Sequence, residues 1–169
     1  MDNNELRALQ APIKQRYKDD PDAAVITLKA KGTLDDAGIA CKVETGRALA
    51  IAGLHPATGG SGLELCSGDM LLEALVACAG VTVKAVATAL AIPLRADTVS
   101  AEGELDFRGT LGVAKEAPVG FRQIRLRFDL STDGPQDKLD QLLKLTERYC
   151  VVYKTIRNGP PVDIKLSRV

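Results

Sequence analysis

The sequence predicts an α+β fold, and the arrangement of its periodic segments leads to this prediction. Apolar and polar residues alternate with the period of a β-strand over residues 98–108 and 121–130. Apolar residues recur at helical intervals over residues 69–91 and 135–157. Strands and helices therefore form separate blocks, whereas a parallel α/β sheet would require repeated strand–helix–strand units.

The composition narrows the class of protein. A chain of 169 residues fits one domain that buries a core without disulfides or metal. Its 22 basic residues balance its 22 acidic residues, and only 4% are aromatic, so we expect no nucleic acid partner and no membrane partner. Four cysteines, no signal-peptide pattern in MDNNELRALQ and no apolar run of membrane-spanning length predict a cytoplasmic protein with free thiols.

The first part of the chain predicts a helix followed by a β-meander. Apolar residues at helical spacing over residues 5–18 predict an N-terminal helix that Pro12 kinks or delays. Residues 24–53 predict two or three strands separated by turn residues. The Gly- and Pro-rich connector LHPATGGSG then leads to Ser67, whose hydroxyl can cap the next helix.

The helix over residues 69–91 is apolar on nearly every side, which in a soluble protein indicates burial all round. A single domain of this size has little material to surround such a helix, so we expect a second copy of the chain to supply part of the cover. The sequence therefore predicts a homodimer with this helix at its centre. The apolar residues are Met70, Leu71, Leu72, Leu75, Val76, Val81, Val83, Val86 and Leu90.

The rest of the chain predicts a hairpin, a second helix and a last strand. The outward positions are acidic in residues 98–108 and basic in residues 121–130, so the two strands can pair antiparallel with opposite charges side by side. Pro135 opens the second helix, Cys150 lies on its core face, and residues 158–161 end it. The tail VDIKLSRV predicts a C-terminal strand.

Two cysteines, Cys78 and Cys150, lie within the two predicted helices, 72 residues apart. A redox function needs thiols on rigid elements at a fixed separation, so this placement is the main indication of function. The chain has no C-x-x-C spacing, which excludes a thioredoxin-type motif and a zinc ribbon. Burial as a small hydrophobic residue is the alternative interpretation for either cysteine.

A reactive thiol works as the thiolate, so Cys78 needs a cation or hydrogen-bond donors nearby to lower its pKa from about 8.5. Lys84 lies six positions further along the helix and off the face of Cys78, so the activating group must come from another element or another chain. The sequence does not choose among four basic candidates, which are Arg47, Arg148, Lys29 and Lys31.

Three further residues could take part in chemistry. Asp69 precedes Cys78 by nine residues, about 13.5 Å of helical rise, so it either favours the helix N-terminus or acts at the site of a partner subunit. Cys66 lies just before the same N-terminus, where free N–H groups favour a thiolate, and is a rival reactive cysteine. His55 is the only histidine, so a metal site or a Ser-His pair has little support and a loop position is favoured.

The strings CSGDMLLEALVACAG and ERYCVVYKTI resemble the two cysteine motifs of the OsmC/Ohr family of stress-induced proteins and organic hydroperoxide reductases. The resemblance covers residues 24–169, and we assign residues 23–169 to a single OsmC-like domain and residues 1–22 to an N-terminal helical extension. It implies an intertwined homodimer in which a β-meander, two central cysteine-bearing helices, a second β-hairpin and a C-terminal strand form each subunit. It also implies a peroxidase cycle in which Cys78 attacks the peroxide and Cys150 resolves it.

The resemblance further implies that Asp69 acts across the dimer, that oxidation joins Cys78 to Cys150, and that an external dithiol serves as reductant with no bound cofactor. The chain departs from the hydroperoxide reductases at two places: residues 32–38 lack their arginine, and Val151 stands where many members have proline. Two hypotheses follow. The protein is a thiol-dependent peroxidase for organic hydroperoxides, or it is a non-enzymatic binder of a small apolar or electrophilic ligand at the dimer interface.

Overall fold

The computed structural model describes residues 2–19, 31–34, 40–44, 49–95, 97–112 and 114–168. The chain divides into two compact units, and each is described by itself. The first unit comprises Met1–Glu73 and Ser100–Arg127, and the second comprises Ala74–Val99 and Phe128–Val169.

The first unit contains the predicted N-terminal helix and meander. Helix α1 spans Asn3–Asp19 and includes Pro12. Strands β1, β2 and β3 pair antiparallel in chain order, and the short strand β4 pairs parallel with β3. The predicted meander is therefore confirmed, although residues 24–30 and the two turns at 35–39 and 45–48 lie outside the described residues. The strand bounds are Lys31–Leu34, Ala40–Glu44, Leu49–Gly53 and Leu65–Cys66.

The predicted hairpin is also present. Strands β5, Thr98–Glu104, and β6, Gln123–Asp129, form a two-stranded sheet in which every second residue is exposed. The N–H of Arg122 donates to the carbonyl of Glu104 at 2.8 Å, which places the end of β5 beside the start of β6 and makes the pair antiparallel. Arg125 pairs with Glu104 on the outer face, as the opposite charges of the two rows predict.

The prediction that β5 continues through Phe107 is wrong. Asp106 accepts a hydrogen bond from the N–H of Arg108 at 3.2 Å and so caps a single-turn helix, α3, at Phe107–Thr110. The same carboxylate forms an ion pair with the guanidinium of Arg108 at 2.7 Å. A side chain that competes with the strand for backbone N–H groups explains why the alternating pattern stops here.

Helix α2 spans Ser67–Ala89, close to the predicted bounds. Its buried residues form a single stripe at intervals of four residues, so the expectation of burial on all sides is not met within one chain. Val81, for example, is 74% exposed. The prediction that no apolar run is long enough to span a membrane is wrong. By length and composition alone α2 could cross a membrane, as the core helices of soluble proteins often could. The buried stripe is Leu75, Ala79, Val83 and Ala87.

Helix α2 ends in a Schellman motif whose left-handed position is occupied by alanine and not by the usual glycine. Ala91 has a φ of 56°, in the left-handed region. The N–H of Ile92 donates to the carbonyl of Ala87 at 2.8 Å, and the N–H of Ala91 donates to the carbonyl of Thr88 at 3.2 Å. The motif turns the chain so that Ile92 joins the core of the second unit.

The predicted second helix is divided into α4, Gln136–Tyr149, and α5, Val151–Arg157. Cys150 lies between them with an extended backbone at φ −71° and ψ 108°, so one continuous helix is a wrong prediction. Leu142 of α4 is 1% exposed and packs with α2 residues in the core cluster. The buried members of that cluster are Val83, Ala87, Ile92 and Leu142.

The prediction of a C-terminal strand is wrong for this single chain. Residues 159–168 follow α5 without regular secondary structure. Val162, Ile164 and Leu166 are 78%, 92% and 93% exposed, although they alternate with polar residues as strand residues do. A strand is assigned through hydrogen bonds to a neighbour, and no described strand of this chain pairs with the segment.

Candidate active site

Cys78 lies on α2 beside the buried stripe and is half-buried. The next residue, Ala79, is fully buried, and the Thr82 hydroxyl one turn further along donates to the carbonyl of Cys78 at 2.7 Å. The short side chains of Ala79 and Gly80 keep this part of the helix narrow, and a Cβ atom at Gly80 would meet Val99 at 3.9 Å. A second element can therefore approach the Cys78 thiol closely.

That second element is the junction between α4 and α5. Cys150 is 1% exposed there, which confirms that it faces inward. Its N–H donates to the carbonyl of Thr146 at 2.9 Å, and its own carbonyl accepts from Lys154 at 3.0 Å, so it belongs to the ends of both helices. Because the helix is interrupted at Cys150, the first N–H groups of α5 have no carbonyl one turn earlier to receive them.

These free N–H groups point to Cys78. Burial raises the pKa of the Cys78 thiol, but the N–H groups of Val152 and Val151 and the Cys150 thiol all hydrogen-bond to its sulfur. Their combined effect holds the pKa of Cys78 below the ordinary value of a cysteine, because each donor favours the thiolate. The structure thus brings the two predicted cysteines together.

The two thiols are not equivalent. Burial raises the pKa of the Cys150 thiol, and its hydrogen bond and charge interaction with Cys78 raise it further against the opposing N–H groups of Tyr153 and Val152. Cys150 is therefore held as a thiol that donates to the Cys78 sulfur. A thiol with a lowered pKa next to a thiol with a raised pKa is the arrangement that a two-cysteine redox cycle starts from.

Among the residues that the structure describes, no cation lowers the pKa of Cys78, and the groups that do so are hydrogen-bond donors of the second unit. Arg148 instead lies over the ring of Tyr149, 5.5 Å from its centroid. Lys29 and Arg47 lie outside the described residues. Sequence reasoning missed Val151 and Val152 because backbone donors leave no residue-type signal; the only hint is two β-branched residues directly after Cys150.

Asp69 and Cys66 belong to the first unit, whereas Cys78 and Cys150 belong to the second. Asp69 lies exposed in the first turn of α2, and Cys66 ends β4 just before it. Both line a cavity of about 350 Å³ with Phe107 and Phe121. The action of Asp69 across a dimer stays a prediction.

His55 takes a structural position in the same cavity wall. Its Nδ1 accepts a hydrogen bond from the N–H of Ala57 at 3.0 Å, which caps a short 3-10 turn at Pro56–Thr58. Its ring stacks on Phe107 at 4.8 Å between centroids. Among the residues that the structure describes, no group of three or more His, Cys, Asp or Glu side chains is placed to hold a metal ion.

The α+β scaffold places two cysteines in contact, one with a lowered thiol pKa and one buried with a raised thiol pKa. The profile of the OsmC-like protein family matches residues 60–165, which include both cysteines. The chain belongs to the OsmC-like family. No curated protein matches the chain.

Solved structures agree with this assignment at the level of the fold. An OsmC-like protein from Mycoplasma pneumoniae is 15% identical with a TM-score of 0.64, over 79% of this chain and 89% of that one. An organic hydroperoxide resistance protein, OsmC, from Legionella pneumophila is 18% identical with a TM-score of 0.58, over 80% and 93%. The organic hydroperoxide resistance protein OhrB of Bacillus subtilis is 19% identical with a TM-score of 0.52, over 80% and 94%.

Proposed function

We propose that the protein is a thiol-dependent peroxidase that reduces organic hydroperoxides. The observation that carries the proposal is the contact of the Cys78 sulfur with the Cys150 thiol and with two N–H groups of α5. A lone buried cysteine needs no such donors, since its thiol is a weak hydrogen-bonding group. The relatives named as organic hydroperoxide resistance proteins support the same activity.

The proposed reaction has two steps. The Cys78 thiolate attacks the terminal oxygen of the hydroperoxide, the O–O bond breaks, and the alkoxide leaves as the alcohol after taking a proton. Cys78 is then a sulfenic acid. The Cys150 sulfur attacks the Cys78 sulfur, the S–O bond breaks, and hydroxide leaves with the Cys150 proton as water. The product is the Cys78–Cys150 disulfide, which an external dithiol reduces without a bound cofactor.

The surroundings of Cys78 favour an organic substrate over hydrogen peroxide. Val81 lies one turn from Cys78 on α2 and is 74% exposed, and Val151, whose N–H contacts the sulfur, is 69% exposed. Exposed apolar side chains beside a reactive atom can bind the alkyl part of a hydroperoxide, which hydrogen peroxide lacks. Exposed apolar side chains such as Val81 and Val151 can also contact a second copy of the chain. We propose that the functional unit is a homodimer.

The test is turnover of tert-butyl hydroperoxide and of hydrogen peroxide with dithiothreitol as reductant. We expect the organic peroxide to be consumed faster. We expect Cys78→Ser to lose turnover, Cys150→Ser to stop at a sulfenic acid on Cys78, and the rival Cys66→Ser to keep the wild-type rate. Full turnover in Cys78→Ser, or its loss only in Cys66→Ser, would contradict the proposal.

A second candidate function is ligand binding without turnover. The cavity of the first unit, about 350 Å³ with Phe107 and Phe121 beside Asp69 and Glu104 in its wall, has the size and the mixed apolar and polar lining of a small-molecule site. Calorimetry with small aromatic probes would detect such binding. Binding together with the absence of peroxide consumption would favour this candidate over the peroxidase.

A further inference from the structure

Another cavity, of about 390 Å³, lies in the second unit at the junction of α4 and α5. Cys150 lines it together with two cationic side chains, Arg148 and Lys154. Among the described residues that line this cavity, none is acidic. The guanidinium of Arg148 lies over the Tyr149 ring, 5.5 Å from its centroid, so one positive charge lies two residues before the cysteine. The remaining residues of the wall are Tyr149, Val151, Thr155, Asn158 and Pro160.

We propose that this cavity binds the electron donor of the redox cycle, and that the donor is a thiol compound carrying a carboxylate. The carboxylate pairs with Arg148 and Lys154 while the thiol reaches the sulfur of Cys150. The inference rests on the proposed function, because it requires a disulfide between Cys78 and Cys150. A guanidinium next to an ammonium attracts carboxylates and raises their local concentration, which accelerates the encounter of an anionic thiol with the disulfide.

The chemistry selects Cys150 as the sulfur that the donor attacks. The donor thiolate forms a bond to the Cys150 sulfur, the bond between the two protein sulfurs breaks, and Cys78 leaves as the thiolate. The lower pKa of Cys78 makes it the better leaving group of the two cysteines. A second thiol then attacks the donor sulfur of the mixed disulfide and releases Cys150, so the donor is oxidised to a disulfide and the protein is reduced.

The burial of Cys150 also favours attack by a donor that binds in the cavity before it reacts. Cys150 is 1% exposed and lines this cavity, so the cavity offers a donor a route to the residue. A binding step before the reaction makes recognition of the donor effective. A small neutral thiol gains nothing from the two cations, and its rate should follow its intrinsic reactivity alone.

The experiment uses the full chain oxidised with diamide, so that the disulfide forms without any peroxidase activity. Its reduction by 3-mercaptopropionate is compared with that by 3-mercaptopropionamide, which replaces the carboxylate by a neutral group of the same size. Each rate is divided by the rate of the same thiol with 2-hydroxyethyl disulfide, which removes the difference in intrinsic reactivity. We expect the acid to be favoured by roughly tenfold at low salt, with the preference falling as salt is added.

The variants locate the effect. Arg148→Gln with Lys154→Gln should bring the normalised ratio close to one. The matched control, Lys144→Gln with Arg157→Gln, removes the same charge from α4 and α5 outside the cavity and should keep the preference. After acid quenching and alkylation, peptide mapping should find the mixed disulfide on Cys150 and the alkyl group on Cys78.

The outcomes separate the two proposals. Equal normalised rates for the two thiols, a preference that survives in the cavity variant, or a mixed disulfide on Cys78 would overturn the donor site. Failure of diamide to join Cys78 and Cys150 would overturn both the donor site and the resolving role of Cys150. A disulfide that forms with diamide but not with organic hydroperoxide, together with the expected preference, would support the donor site and contradict the peroxidase.

Discussion

The pKa of Cys78 is lowered mainly by backbone N–H groups, so no exchange of one side chain for another removes the whole effect. A thiolate paired with lysine or arginine depends on one residue, whereas the Cys78 sulfur receives hydrogen bonds from the N–H groups of Val151 and Val152. These donors exist because Cys150 interrupts the helix. The backbone geometry of Cys150, the proposed resolving cysteine, therefore also lowers the pKa of Cys78, the proposed attacking cysteine.

The first prediction concerns the pH dependence of the two thiols. The folded pKa of Cys78 is below the ordinary value, so the thiolate stabilises the fold; this contribution is complete above the unfolded pKa and is lost as pH falls through the folded pKa. The pKa of Cys150 is raised, so its contribution is complete below the unfolded pKa and is lost as pH rises through the folded pKa.

Iodoacetamide labelling, quantified for each cysteine peptide, should reach half its maximal rate at lower pH for Cys78 than for Cys150. In urea-unfolded protein the two profiles should coincide; a difference that persisted there would show that the fold is not its cause.

The second prediction tests a single backbone donor. Val151→Pro removes the N–H at the first position of α5, where proline is well tolerated, and the extended backbone of Cys150 already suits a following proline. The fold should therefore remain, while the pKa of Cys78 rises. The loss of one hydrogen bond to a charged sulfur should slow the reaction with peroxide at pH 7 by roughly tenfold, about 1.4 kcal/mol.

Val151→Ala keeps the N–H and serves as the matched control, with a rate close to that of the wild type. Stopped-flow oxidation gives the rate constants, and circular dichroism verifies that both variants are folded. An unchanged rate in Val151→Pro would mean that the N–H of Val152 and the other donors suffice.

At the scale of elements, periodicity predicted most of the fold. The alternation in β5 and β6 and the apolar spacing in α2 and α4 arise from residues that pack within one chain, so their pattern is directly readable. The break at Cys150 was not predictable, because it depends on one ψ angle of 108° at a residue whose neighbours still keep helical spacing. The same break exposes the N–H groups of Val151 and Val152, which are the part of the site that sequence reasoning missed.

The end of α2 gives the third prediction. Ala91 adopts a φ of 56°, which glycine accepts freely and which costs a residue with a Cβ roughly 1 kcal/mol. Ala91→Gly should therefore stabilise the protein by up to about 1 kcal/mol, offset in part by the greater freedom of glycine in the unfolded chain. Chemical denaturation measures the change. Ala74→Gly, in the interior of the same helix, should instead destabilise by about 1 kcal/mol; destabilisation in both variants would contradict the left-handed cap.

At the scale of the whole molecule, the single chain leaves two apolar features uncovered. One is the side of α2 away from its buried stripe, and the other is the alternating tail over residues 162–166. Sequence reasoning expected both to be covered, because an all-round apolar helix and a strand pattern each need a partner. Among the residues that the structure describes, neither feature is covered. The two departures from expectation therefore have the same explanation if a second copy supplies the cover.

The last prediction tests this assembly. Val81 is 74% exposed on α2, and its side chain makes little contribution to the core of its own chain. Val81→Asp should therefore leave the secondary structure intact but place a charge in the proposed interface, where burying an unpaired carboxylate is strongly unfavourable. Sedimentation at micromolar concentration should show a dimer for the wild type and a monomer for Val81→Asp. Val119→Asp is the matched control, since Val119 is 64% exposed in the loop before β6 and should keep the dimer. A wild-type monomer would mean that the open side of α2 faces water, and it would remove any action of Asp69 at the site of a partner subunit.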